Sequence, residues 1–210
     1  MRRTKYQNGF TLIELLLALV ITGIITSAVA TLAYAMNSAG VATDDTSRKQ
    51  AQVRFATLRI SDLIRHCKLV CYASANEMAV WTADGNADGK INISELTYIE
   101  AGTARDHLQL YTFSGVAEIK RDLIGALATN WWSTYGSRNP PTSLIPQKSQ
   151  CSNVTFYLDA PGSPPNSKIV SITFDLLENR VTSKYQINAA LRARAANLLD
   201  ASGNIVSDDD

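Results

Sequence analysis

The chain has 210 residues, 46% of them hydrophobic and 19% charged, with a formal net charge of +1. That balance excludes a disordered chain, fits one domain with an appendage, and offers no basic footprint for nucleic acid. Three cysteines, Cys67, Cys71 and Cys151, are too few for a disulfide scaffold and lack the Cys-x-x-Cys spacing of a zinc or redox site. The chain begins with a basic stretch containing Arg2, Arg3 and Lys5. From Phe10 to Met36 there follows an apolar run without Lys, Arg or Asp, longer than the ~20 residues that cross a bilayer as a helix. The basic start keeps the N-terminus cytoplasmic and sends the rest of the chain beyond the inner membrane. One residue breaks the run: Glu14, whose carboxylate costs roughly 2.5–3.5 kcal/mol in hydrocarbon by insertion scales.

Asn8-Gly9-Phe10-Thr11-Leu12-Ile13-Glu14-Leu15, with the basic stretch before it and the apolar run after it, resembles the signal of type IV prepilins and type II secretion pseudopilins. The resemblance covers roughly residues 2–36. It implies cleavage between Gly9 and Phe10 by a prepilin peptidase, followed by N-methylation of Phe10. It also implies a role for Glu14, which would meet the free α-amino group of a neighbouring subunit during assembly. Opposite charges attract strongly in a low-dielectric bundle, and an unpaired one is penalised.

Between residues 10 and 68 glycine occurs only at Gly23 and Gly40, and no proline occurs before Pro140. The helix is therefore expected to continue to about residue 70, a rod of ~88 Å if unbroken, although Gly40 and the polar stretch after it offer a place to break. Val53, Phe55, Leu58, Leu63 and Ile64 recur with near-helical spacing and predict the buried face, with Arg54, Arg59 and Arg65 outward. After Cys71 the pattern turns to strands around Met78 and Val80, Leu96 and Tyr98, and Leu108 and Leu110. Residues 117–130 carry helical spacing at Ile119, Leu123, Ile124 and Leu127, and a turn-rich loop follows. Val154–Leu158 and Ile169–Phe174 read as a hairpin, with a third strand near Val181–Ile187. These elements predict an α+β fold, which the resemblance supports: a long N-terminal helix packed on an antiparallel sheet. The expected parts are a leader (1–9), an assembly helix (10–36), its amphipathic continuation (37–70), a periplasmic β-rich head (71–200) and an acidic tail (201–210). Cys71 and Cys151 are the candidate disulfide in an oxidising compartment; three buried thiols are the alternative.

Residues 84–95, DGNADGKINISE, match the EF-hand calcium-loop pattern at every position. Asp84, Asn86 and Asp88 fill the first, third and fifth places, and Gly89 takes the sharp turn at the sixth. Lys90 offers its carbonyl, Asn92 acts through water, and Glu95 is the bidentate twelfth ligand. Calcium, a hard cation taking six to eight oxygens, suits this set. The flanking residues predict strands, so the expected site is a calcium-stapled hairpin loop.

No catalytic constellation is present. His66 and His107 stand apart from any metal-binding pattern, and no phosphate-binding glycine loop or nucleophile elbow occurs. Trp131, Trp132 and Tyr135 form an aromatic group suited either to a core or to a ligand platform. The reading is a non-enzymatic minor pilin or pseudopilin with a calcium-stabilised head, partnered by prepilin peptidase, other pilin subunits and the inner membrane. The rival reading is a membrane-anchored, calcium-dependent module that binds carbohydrate or protein.

Overall fold

The computed structural model of the chain describes residues 11–178 and 180–192. Gly9, Phe10 and the acidic tail 201–210 lie outside the described residues. The chain divides into two units, Met1–Thr46 and Ser47–Asp210. One helix, α1 (Leu12–His66), has residues in both.

In the first unit, α1 carries the apolar run. Leu12, Ile13, Leu19, Ile24 and Leu32 are each more than 60% exposed in the isolated chain. This is the one helix among the described residues that is long and apolar enough to cross a membrane. Its few hydroxyls are satisfied internally: Thr22, Thr26 and Thr31 donate to Ala18, Thr22 and Ser27 carbonyls at 2.6, 2.7 and 2.8 Å. That back-bonding removes the cost of a bare hydroxyl in an apolar setting. The helix continues through Gly40.

In the second unit, α1 ends with Arg65 and His66 in its last turn, both favourable near the carbonyl end of a helix. Its buried stripe is Ala56, Ile60 and Ile64, with Val53 and Leu63 partly buried beside it. The sequence expectation is corrected at two positions, since Phe55 and Leu58 are 52% and 66% exposed. Spacings of three and four residues from Ala56 define the face, and neither residue falls on them.

All strands pair antiparallel. The first sheet holds β1 (Leu69–Ala73), β2 (Glu77–Trp81), β3 (Leu96–Glu100), β4 (Leu108–Ser114) and β5 (Ser137–Arg138) in sequence order, and β6 (Thr142–Ile145) also pairs with β4. The second sheet holds β7 (Cys151–Leu158), β8 (Ile169–Glu178) and β9 (Val181–Ala190). β8 and β9 pair in unbroken register from Ile169↔Ala190 to Glu178↔Val181. The expected three-strand meander is thus present and longer than its alternation predicted.

Two cores result, because alternate residues of the first sheet point to opposite faces. Met78, Val80, Ile99, Leu108 and Leu110 join α1 and the second sheet in one core. Ala79, Trp81, Leu96, Tyr98 and Phe113 form the other, beneath the segment 119–135. That segment is not the helix expected over 117–130. It contains 3-10 turns at Arg121–Leu123, Leu127–Thr129 and Trp131–Thr134, interrupted by extended backbone at Ile124 and Ala126 and a left-handed Asn130. Ile119, Ile124 and Leu127 are buried there as a cap on the sheet. Their spacing records three points of contact with a flat surface rather than a helical face.

Candidate functional site

At the start of α1, Thr11 and Glu14 close on each other. The Thr11 N–H and hydroxyl both donate to Glu14 Oε2, at 2.9 and 2.8 Å, and the Glu14 N–H donates to Thr11 Oγ1 at 3.4 Å. This is a capping box, the reciprocal satisfaction of two orphan donors at a helix start. Its signature, Thr-x-x-Glu ahead of an apolar run, is legible in Thr11-Leu12-Ile13-Glu14 and gives the acid a local task in the single subunit. The carboxylate remains at the rim of an exposed apolar helix, next to the point where the resemblance places a new amino terminus.

The second candidate is the connection between β2 and β3, where Trp81 pairs with Leu96. The expected strand flanks are present. Asp84 turns inward, its two carboxylate oxygens accepting the N–H groups of Asp88 at 3.1 Å and Gly89 at 2.8 Å. Gly89 has φ +69°, the left-handed conformation that the sixth position requires of glycine. Ala87 is also left-handed at φ 56°, where its Cβ is costly. Asp88 Oδ1 accepts from Lys90 N at 2.9 Å, and its Oδ2 accepts from the amides of Asn86 and Asn92 at 2.7 and 3.0 Å. These bonds, that from Asn92 foremost, hold the Asp88 carboxyl below its ordinary range.

Glu95 sits in a 3-10 turn, Ile93–Glu95, just before β3. Its Oε1 accepts the Gly85 N–H at 2.7 Å, while Oε2 accepts the Trp81 indole N–H at 3.0 Å and the Asn92 N–H at 3.2 Å. Among the described residues no three His, Cys, Asp or Glu side chains are gathered as a metal-ligand set, so Glu95 does not stand with Asp84 and Asp88 around one point. Asp84, Asn86, Asp88 and Asn92 converge on the loop interior, and Glu95 braces the loop from the strand side. The loop is fastened at its far end too: Lys90 Nζ meets Glu118 Oε2 at 2.7 Å, and Ile119 N donates to Ile91 O at 2.8 Å. Ile91 and Ile93 anchor the same stretch in the second core.

The aromatic group is turned inward. The Trp131 indole and the Tyr98 hydroxyl both donate to Gly125 O, at 2.9 and 2.7 Å, and the Trp132 indole donates to Leu127 O at 3.4 Å. The Arg138 guanidinium lies 4.9 Å from the Tyr111 ring and 5.2 Å from the Trp132 ring. These contacts make the Trp131–Trp132 group the fastening of the 119–135 cap.

The expected bridge between Cys71 and Cys151 does not form here. All three cysteines are free and buried. Cys71 packs in the second core, while Cys67 and Cys151 pack in the first, across the first sheet. Burial pushes each thiol up to about 12. His66 lies on the last turn of α1 against Asp62, 3.0 Å from its Oδ1. His107 lies between Asp106 Oδ1 at 2.7 Å and Glu100 Oε2 at 3.5 Å, its ring packed so closely over Gly102 that a side chain there would collide with it. Sequence reasoning missed one buried acid, Glu77, which accepts the Leu127 N–H from 50 positions away.

Residues 4–30 match the family model described as the prokaryotic N-terminal methylation motif. No curated protein and no solved structure matches the chain.

Proposed function

We infer that the chain, which carries a prepilin-type signal and an α+β fold in which a long N-terminal helix packs on antiparallel sheets, is type IV pilin-like. Such a signal implies processing by prepilin peptidase and assembly with other pilins, the work of a structural subunit.

We propose that this chain is a minor pilin or pseudopilin that waits in the inner membrane with its head in the periplasm, loses residues 1–9, and enters a pilus or a type II secretion pseudopilus through α1. Supporting this reading above all is the placement of the methylation motif directly on an exposed apolar helix with Glu14 as its single charge between residues 10 and 36. On this reading Phe10 becomes the N-methylated first residue, and Glu14 receives the amino group of a neighbouring subunit. A carboxylate whose hydrogen bonds among the described residues are to Thr11 is available to that partner once helices surround it.

The loop 84–95 is proposed to hold one calcium ion, through Asp84, Asn86, Asp88, the Lys90 carbonyl, Asn92 by way of water, and Glu95. The inward turn of the first, third and fifth residues and the left-handed Gly89 support it. Completing that set requires Glu95 to exchange its N–H donors for the ion. Calcium would then staple the β2–β3 hairpin to the cap.

Mass spectrometry of the mature protein from native membranes tests the assignment. A chain beginning with N-methylated Phe10 is expected; one still beginning at Met1, or cut near residue 30, refutes it.

A further inference from the structure

In the second unit, α1 carries an outward face as well as its buried stripe. Spacings of three, four and seven residues from Phe55 put Arg48, Ala51, Leu58, Arg59 and Asp62 on one exposed side of the helix. Phe55 and Leu58 are its apolar centre, 52% and 66% exposed. Beside them lies an open groove of about 520 Å³, with Arg48, Ala51 and Phe55 on the helix wall and Leu144 and Pro146 on the β6 wall. Arg54 and Arg65 are exposed at the margins, and the one acid on the face, Asp62, meets His66 at 3.0 Å. The face is therefore apolar at its centre and basic around it. The chain leaves the second sheet against the same helix. After β9 the Leu191 N–H donates to Lys168 O at 2.9 Å and the Arg192 N–H to Arg65 O at 3.3 Å, so residue 193 departs from the last turn of α1. Residues 193–210, outside the described residues, hold four acids, Asp200 and Asp208–Asp210, against one base, Arg194, together with Leu198, Leu199, Ile205 and Val206.

We propose that residues 193–210 turn back along α1 and cover this face, with their aliphatic side chains on Phe55 and Leu58 and their aspartates on the arginines. At a rise of about 1.5 Å per residue, Leu58 and Arg48 lie ~10 and ~26 Å along the helix from Arg65. Extended chain covers ~3.3 Å per residue, so Leu198 and Leu199 reach Leu58 and Phe55, and Asp208–Asp210 reach Arg48 with slack. Apolar burial and pairing of opposite charges act together, and the tether makes the contact intramolecular, so a large contact area is not required. A second copy fits the face less well. In a two-fold pairing the same basic patch meets itself, and Arg48 and Arg59 stand against groups of their own sign.

Ala51→Cys puts a reactive thiol in the groove and leaves Phe55, Leu58 and the arginines in place. Its alkylation is measured in the full-length chain in detergent micelles and in the same chain ended at Arg192. Cover for about nine-tenths of the time slows modification of the full-length chain ~tenfold relative to the shortened one. The native thiols, buried in the fold, show that the shortened chain is intact by staying unlabelled. A full-length chain with Asp208→Asn, Asp209→Asn and Asp210→Asn gives a second comparison that needs no truncation, and its rate is expected to move most of the way to the uncovered value. Equal Ala51→Cys rates in the full-length, shortened and substituted chains overturn the proposal. Protection that disappears on dilution also overturns it, because the occupant is then a second copy.

Discussion

Glu14 has two partners to serve, and substitution separates them. Its carboxylate closes the capping box with Thr11, and on the proposed reading it also answers a neighbour's amine. Glutamine fills the third position of a capping box as glutamate does, but carries no charge. Glu14→Gln is therefore expected to keep the helix start while reducing co-assembly with the major subunit at least tenfold, because an ion pair in a low-dielectric bundle exceeds the ~1.4 kcal/mol that a factor of ten requires. Co-purification of the variant with sheared filaments measures this, and wild-type incorporation would show that the cap alone accounts for the acid. The motif was legible because it is local: Gly9, Phe10 and Glu14 need only their chain neighbours to be recognised. Glu77 was not legible, since both its cross-strand partner Glu100 and its donor Leu127 are brought to it by pairing and covering.

Among the elements, those with strong periodicity were read correctly and those shaped by covering were not. The helix from Leu12, the hairpin flanking 84–95 and the β7–β8–β9 meander all follow their alternation or their freedom from proline. The 119–135 segment misled because Ile119, Ile124 and Leu127 are anchor points of a loop lying on a sheet, spaced five and three residues apart, while Leu123, which a helical face would also bury, is exposed. The loop 84–95 carries its own test. A ligand that binds only the folded state stabilises it by ~2.7 kcal/mol at a hundredfold excess over its dissociation constant. Calcium at millimolar concentration is expected to raise the melting temperature by several degrees, chelator to reverse the rise, and Glu95→Gln to abolish it. A melt indifferent to both calcium and chelator removes the ion from the account.

At the scale of the whole molecule, the first sheet separates the thiols. Cys71 lies on one side of it and Cys67 and Cys151 on the other, each buried and each shifted far toward the protonated form by that burial. A thiol that is neither ionised nor exposed is a poor nucleophile. Alkylating reagent at neutral pH is therefore expected to leave all three unlabelled in the native head and to modify all three in denaturant; a Cys71–Cys151 linked peptide would contradict this. By itself the sequence determined the signal, the apolar helix with its one acid, the strand-flanked polar loop and the α+β class, because each is written in spacing between near neighbours. Only the tertiary structure decided which helix residues face the core, which side of the sheet each cysteine takes, and which two acids oppose each other. Those outcomes depend on sheet register and on what covers each face, and neither is encoded in any single stretch of the chain.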